Sequence, residues 1–271
     1  VPDNVLKVGI AGLGTLGSVI AEHLDGGIAR LALVAVCARD QEKARERLAR
    51  LRNPVPVVAA AELAARADAV VDATIPEAFA AIAGPAIRKG RIFLTLNAAA
   101  FFTHAELLEE AERTGARIVI PSGAVAGLDA LRAAAQEDVR NVTLITRMTP
   151  AGRAGAPYLA ERGISLDGLA EPRKLFEGNA LEAARAFPDT TNIAAAVSFA
   201  GIGPERTRVE IWADPGAARH VHRIAVEASA TRFETMIDNE LMGENARVSR
   251  LPALSAIASL RGLVETLTVG V

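Results

Sequence analysis

The sequence predicts an α/β protein: a doubly wound parallel sheet joined to a second α+β domain whose mixed or antiparallel sheet is open on one face. Three observations predict it. Apolar runs of strand length alternate with helix-like stretches through the first half of the 271 residues, the spacing of a right-handed, doubly wound sheet. Only 4% of residues are aromatic while Ala, Val, Leu and Ile abound, which suits helices packed closely on strands buried on both faces. In the second half, strands follow one another without helices between them, the mark of a sheet with one solvated face.

The first-half strands are expected at Val5–Ala11, Leu31–Cys37, Val55–Val58, Ala69–Ala73, Ile92–Leu96 and Arg117–Ile120. Helices are expected between them at Thr15–Leu24, Gln41–Leu51, Pro76–Lys89 and His104–Thr114. Pro85 should interrupt the third helix, because its ring removes a helical hydrogen bond. After Pro121-Ser122-Gly123-Ala124 the pattern changes. A helix from about Gly127 to Gln136 precedes an alternating strand at Val139–Met148, and Thr149–Gly163, with Pro150, Gly152, Gly155 and Pro157, reads as a long functional loop. Helices at Leu181–Phe187 and Asn192–Ala200 come next, then strands at Arg206–Ala213, His220–Ala228 and roughly Thr231–Ile237. A last helix from near Ser249 sets Leu254, Ile257, Leu260, Val264 and Leu267 on one stripe. The expected organisation is a dinucleotide-binding domain over 1–124, a catalytic and dimerisation domain over 125–244, and a helix over 245–271 that returns to the first domain.

Thirty basic and 32 acidic residues leave a formal charge of −2. Without a global cationic field, nucleic acid and anionic membranes are poor main partners. The lone cysteine, Cys37, cannot form an internal disulfide, and no Cys/His cluster has the spacing to hold zinc. No run approaches the ~18 apolar residues of a membrane span, and Val1-Pro2-Asp3-Asn4 lacks the basic start of a secretory leader. A soluble, cytoplasmic protein acting on a small molecule is expected, with no metal and with a second copy on the open sheet face as a homodimer.

The chemistry begins at Gly12-Leu13-Gly14-Thr15-Leu16-Gly17, which has G-x-G-x-x-G spacing, follows an apolar strand and opens a helix. The first glycine permits a tight turn, the second admits a pyrophosphate and the third lets helix and strand approach. Backbone N–H groups at the helix start then face the anion. A Rossmann-type site for NAD or NADP is expected. An NAD site usually holds the adenosine 2′-hydroxyl with an acid about twenty residues beyond the loop. Here that position is Cys37 or Ala38, and Arg39 follows. Arg39 either pairs with a 2′-phosphate, favouring NADP, or points to solvent. Thr74 and Asn97 follow the fourth and fifth expected strands, where dinucleotides lie, and either contact the cofactor or only form turns.

Several separated segments resemble the L-aspartate dehydrogenases, Rossmann-type enzymes of amino-acid oxidation and nicotinamide-cofactor biosynthesis. They are Pro121-Ser122-Gly123-Ala124-Val125-Ala126-Gly127-Leu128-Asp129-Ala130, Leu175-Phe176-Glu177-Gly178, Phe187-Pro188 through Asn192-Ile193-Ala194-Ala195, Ala213-Asp214-Pro215, Arg219-His220-Val221-His222-Arg223-Ile224 and Asn245-Ala246-Arg247-Val248-Ser249. The chain departs from the family's pattern at Thr190, at His220 where the family has Asn, at Met148-Thr149-Pro150 where it has a basic residue and prolines, and at Ala246-Arg247-Val248.

The resemblance implies oxidative deamination of L-aspartate through iminoaspartate to oxaloacetate and ammonia, or the reverse. It assigns proton handling to His222, and a histidine's pKa suits that work near neutral pH. Period two puts residues 220 and 222 on one strand face, so His220 is either a neighbour that touches substrate or the acting group instead. Asn192 bonds the substrate or cofactor, or caps its helix. Thr190 stands where the family has an asparagine on the nicotinamide cofactor, and Ala124 would meet the cofactor through its backbone. A dicarboxylate needs cationic donors; Arg247 is the favoured one, with Arg147 and Arg153 also available. Two other readings stay open: reduction of another amino acid's imine or a carbonyl compound on the same scaffold, and a dinucleotide-binding regulator without turnover.

Overall fold

The structure, a computed structural model, describes residues 5–188, 191–242 and 245–270, with the backbone alone for 241–242 and 245–248. It divides into two units: the chain up to Pro121 together with Pro252–Val269, and Ser122–Leu251 together with Gly270.

In the first unit, strands β1 (Leu6–Ala11), β2 (Leu31–Cys37), β3 (Ala69–Asp72), β4 (Ile92–Thr95) and β5 (Arg117–Val119) form a parallel sheet in the order β2-β1-β3-β4-β5. Helices α1 (Thr15–Asp25), α2 (Gln41–Leu48), α3 (Ala60–Arg66), α4 (Phe79–Arg88) and α5 (Glu106–Thr114) connect them. From β1 the chain goes to one side for β2 and to the other for β3, so the carboxyl ends of β1 and β3 flank a topological switch point. The core gathers Leu63, Ile82 and Ile87 around Phe79, whose ring meets Phe101 and Phe93 edge-on at 5.0 and 5.8 Å.

Two expectations are corrected here, and one helix is new. Val55–Val58 is not a full strand: only Val57 bridges, in parallel, to Val36 on the outer side of β2. Pro54 and Pro56 lack the N–H groups a longer ladder would need. The fourth and fifth expected strands are therefore β3 and β4. Helix α3 was not foreseen; its N-cap, Ala59, makes no side-chain cap, and Leu63 and Ala64 hold it by burial. Pro85 does not interrupt α4, which runs from Phe79 to Arg88 with Pro85 inside. The carbonyl that loses its donor belongs to Ala81 on the exposed side, where water can satisfy it.

The second unit opens with α6 (Leu128–Ala134) and β6 (Val139–Met148). Next come α7 (Pro150–Arg153), α8 (Pro157–Glu161), β7 (Arg173–Asn179), α9 (Ala180–Ala186) and α10 (Asn192–Ala200). Strands β8 (Thr207–Ala213), β9 (His220–Ala228) and β10 (Arg232–Asn239) follow. A hairpin of β11 (Leu241–Met242) and β12 (Asn245–Ser249) leads to α11 (Leu251–Gly262), which groups with the first unit from Pro252 onward. The large sheet has the order β10-β9-β6-β8-β7; β6 and β8 run parallel and the other pairs antiparallel. One face is buried through Leu144, Thr146, Met148, Val209, Ile211, His220, His222 and Ile224. The other carries Arg147, Trp212, Arg223, Glu234 and Met236, the last 69% exposed.

The loop expected over Thr149–Gly163 holds α7 and α8, each with proline as its first residue, preset in φ for a helix start. Strand β7 was missed because Arg173, Lys174, Glu177 and Asn179 break its apolar signal. The expected stripe of α11 is turned: Ala253, Ala256, Ile257 and Leu260 are buried, Leu254 is exposed, and Leu267 lies beyond the helix, 77% exposed.

Candidate active site

In the first unit the glycine-rich turn links β1 to α1. Gly12 has φ +87°, and its N–H donates to the Cys37 carbonyl at 2.8 Å. A Cβ on Gly12 would stand 2.4 Å from the Ala73 carbonyl oxygen, and one on Gly17 would stand 1.8 Å from the Gly12 oxygen. Backbone packing thus dictates both residues. Gly14 differs: a Cβ there would meet nothing within 4 Å. It is the N-cap of α1 and offers no capping side chain, so the first N–H groups, with Thr15 and Leu16, face outward with the helix's positive end. This arrangement fits a dinucleotide pyrophosphate.

Sequence reasoning missed Arg47. Its guanidinium, from α2, donates to the Leu13 carbonyl inside the turn and lies 3.4 Å from Ser18 Oγ, which itself donates to the same carbonyl at 3.2 Å. Its signal was the four-residue spacing of Arg39, Lys43 and Arg47, which sets them along one flank. A cleft of about 530 Å³ runs along α1, lined by Leu13, Gly14, Thr15, Ser18, Arg47 and Arg50 among others. Arg39 is exposed at the end of β2, and Asp40 caps α2 by accepting the Lys43 N–H at 3.0 Å. Cys37 is half-buried, and desolvation pushes its thiol pKa up.

Thr74 and Asn97 lie beyond the carboxyl ends of β3 and β4, but their donors point inward. Asp72 is fully buried. It accepts from Thr74 N at 3.0 Å, Thr74 Oγ1 at 2.6 Å, Thr95 Oγ1 at 2.9 Å and Asn97 Nδ2 at 3.0 Å. Asn97 Nδ2 also donates to the Thr74 carbonyl at 3.0 Å. Both residues thus brace the strand-end turns.

In the second unit His220 and His222 lie on the buried face of β9, each 3% exposed, with ring centroids 6.5 Å apart. Their register partners on β10 are Asn239 and Ile237, and on β6 His222 stands opposite Thr146. His222 Nδ1 is buried without a hydrogen-bond partner among the described residues. Desolvation first, then the charge of Arg153 and the neighbouring His220, pull its pKa down to about 3, so the ring is neutral at physiological pH. Arg153, the last residue of α7, is only 1% exposed. It donates to Thr146 Oγ1 at 2.8 Å and to the Thr146 and Trp212 carbonyls at 3.3 and 3.4 Å. Burial lowers its pKa to about 9, which keeps it a cation at neutral pH. Gly152 brings α7 against His220: a Cβ there would stand 3.5 Å from His220 Nε2.

Asn239, also buried, donates through Nδ2 to the Ala124 carbonyl at 3.0 Å, and Thr235 Oγ1 donates to the Ala126 carbonyl at 2.8 Å. The turn after Pro121 is thereby pinned to β10, and the N–H is what Ala124 can offer a cofactor. Asn192 is half-buried at the first turn of α10; Thr191, not Asn192, holds the N-cap position. Arg147 is not buried and pairs with Asp214 at 3.8 Å on the open face. Thr190 and the side chain of Arg247 lie outside the described residues. The structure thus brings together His220, His222, Thr146, Arg153 and Asn239, of which sequence reasoning had singled out the histidines and, more weakly, Arg153.

Residues 129–263 match the family described as "Aspartate dehydrogenase, C-terminal", and residues 12–121 match "Homoserine dehydrogenase, NAD binding domain". An L-aspartate dehydrogenase of Bradyrhizobium diazoefficiens is 43% identical over 98% of this chain and 94% of its own length. One from Methanosarcina acetivorans is 38% identical over 98% of this chain and 100% of its own. Among solved structures, aspartate dehydrogenase from Thermotoga maritima superposes with a TM-score of 0.73 at 22% identity, covering 98% of this chain and 99% of that one. By full-length likeness to its relatives, and with a glycine-rich turn, a buried strand histidine and both domain matches in place, the chain belongs to the L-aspartate dehydrogenase family.

Proposed function

We propose that the protein is an NAD(P)-dependent L-aspartate dehydrogenase. It interconverts L-aspartate with oxaloacetate and ammonia through iminoaspartate. The observation that carries this reading is the pair of buried histidines, His222 neutral, beside the Arg153 cation, in a chain 43% identical to an enzyme of that name. When bound, the nicotinamide supplies the hydride acceptor or donor. Gly12, Gly14, Thr15, Leu16 and Gly17 would hold its pyrophosphate, with Ala124 and Thr190 as further contacts and Thr74 and Asn97 shaping the crevice.

His222 is the group assigned to protons. A neutral imidazole accepts a proton as water adds to the iminium carbon and returns it to the departing ammonia. A pKa near 3 makes a weak base, but a substrate with two carboxylates counteracts the nearby cation and raises the imidazole's proton affinity on arrival. Asn192, His220 and Arg247 are assigned to the substrate. Arg39, exposed and without a neighbouring acid in the ribose position, supports NADP. Arg39→Asp should weaken NADPH binding about tenfold or more while leaving NADH nearly unchanged in a fluorescence titration; equal losses would remove it from phosphate reading. The exposed Met236 and the open sheet face support a homodimer, and the unpaired Cys37 is compatible with a cytoplasmic setting.

A substrate panel tests the activity: nicotinamide absorbance followed with amino acids in one direction and with oxo acids plus ammonia in the other. L-Aspartate and oxaloacetate should give the highest kcat/KM. Turnover of another pair with aspartate inert would overturn the reading.

A further inference from the structure

Two side chains from different elements converge on one carbonyl of the glycine-rich turn. Arg47 donates from α2 to the Leu13 oxygen, and Ser18 Oγ donates to the same oxygen at 3.2 Å. Arg47 also reaches Ser18 Oγ itself, at 3.4 Å. The direction of that carbonyl fixes a second group. The Leu13–Gly14 peptide is trans and planar. With its C=O turned toward Arg47 and Ser18, its N–H, which belongs to Gly14, points the opposite way. Gly14 is the N-cap of α1, and a Cβ there would meet nothing within 4 Å. No side chain of its own therefore stops this peptide unit from rotating. A half-turn would put a C=O where the N–H stood, at the positive end of α1, and a carbonyl oxygen repels an anion.

We propose that Arg47 is a positioning residue for the dinucleotide's pyrophosphate: by holding the Leu13 carbonyl, it keeps the Gly14 N–H turned out for a phosphate oxygen to accept. This rests on the reading of the turn as a nicotinamide-dinucleotide site. Helix α2 buries Ala44 and Leu48, so its seat in the fold does not depend on Arg47. The Arg47 side chain is half-buried and lines, with Leu13, Gly14, Thr15 and Ser18, the cleft of about 530 Å³ along α1. Its contact with the turn borders open space, and removing it frees a peptide without emptying a core. Because the guanidinium is charged, its bond to the carbonyl is the stronger of the two. A cation acting on the phosphates by charge alone would be indifferent to Ser18. A cation acting through the Leu13 carbonyl shares its task with Ser18, and the two must be coupled.

The test titrates NADH and NADPH, by fluorescence, into wild type, Arg47→Met, Arg47→Lys, Ser18→Ala and the Arg47→Met/Ser18→Ala double variant. Arg47→Met should weaken both cofactors alike, since both carry the pyrophosphate, by about tenfold or more, the worth of one N–H bond to a charged acceptor. In turnover the loss should fall on the cofactor's KM and not on kcat. Arg47→Lys should recover part of the affinity, because the ammonium keeps a donor for the carbonyl. Ser18→Ala should cost less than Arg47→Met. The double variant should lose more than the product of the two single factors, because each donor backs up the other on one oxygen. Without cofactor, the Tm of each variant should stay near wild type. Unchanged affinity in Arg47→Met would overturn the proposal. So would a double variant whose loss is the plain product of the single losses, since Arg47 would then act by charge alone. A wild type that binds neither dinucleotide would sink the reading of the turn itself, a result distinct from a wild type that binds them and an Arg47→Met that matches it.

Discussion

His222 and His220 occupy the same face of β9 with the same exposure, so chemistry has to separate them. His222→Ala should lower kcat by about 10²–10⁴-fold with cofactor affinity nearly unchanged, whereas His220→Asn should keep most activity. Steady-state kinetics with a cofactor titration decides, and a near-silent His222→Ala beside an inactive His220→Asn would move the acid–base role two residues along the strand. The depressed pKa of His222 also predicts a stability effect. Its folded value of about 3 lies below the ordinary 6.5, so the unfolded chain binds a proton in that window and the folded one does not. Stability is fully present above about pH 6.5 and drains away as pH falls toward 3, by up to about 1.4 kcal/mol per pH unit. His222→Gln should flatten that decline in urea unfolding between pH 7 and 4; coincident slopes would show that the imidazole is not its source. Of these residues, His222 was legible from the sequence through its motif and its period-two placement. Arg153 was not, because Pro150, Gly152 and Gly155 around it spell a solvent loop and its burial comes from β6 and β8, distant in sequence.

The glycine-rich turn separates folding from binding within one element. Gly17→Ala would force a Cβ into the Gly12 carbonyl, and Gly14→Ala would project one into open space. We expect Gly17→Ala to lose about 1–3 kcal/mol or more of stability, and Gly14→Ala to melt like wild type while binding nicotinamide cofactor more weakly. Thermal melts with and without NADPH check both; a destabilised Gly14→Ala would contradict the geometry. Elements were legible where a single period ran unbroken, as in β2 and β9, whose ends were read to the residue. They were obscured where tertiary contacts override local signals. Val55–Val58 has strand composition, but two prolines reduce it to one bridge. Helix α3 lacks a cap signal, and β7 carries charges at the sheet edge where water accepts them, with Glu177 paired to Lys174 and Arg208.

At the scale of the whole molecule, the return of α11 to the first unit is what the chain's end contributes. Leu260 is fully buried and Ile257 nearly so. Leu260→Ala should cost about 2–5 kcal/mol, and ending the chain after Ser249 should unfold the first unit instead of only slowing turnover. Circular dichroism and cofactor titration of both variants test this. A truncated chain that melts like the full one but is inactive would contradict it. In the sequence, helix–strand alternation stops near Pro121, where the first segment of the first unit ends. The exact face of α11 was not legible, because alanines fill the buried positions 253 and 256 while Leu254 points outward.

The same return has a consequence for birth order. Chain synthesis delivers residues 122–251, nearly all of the second unit, as one uninterrupted stretch, whereas the first unit needs segments from either side of it. Its last helix leaves the ribosome only after that stretch has been made. We therefore predict that the middle of the chain matures first and that the nucleotide half, although made earlier, stays open until that helix emerges. Nascent chains stalled before residue 252 should then resist protease between 122 and 251 and be cut readily upstream, an inversion of the usual N-terminal-first order.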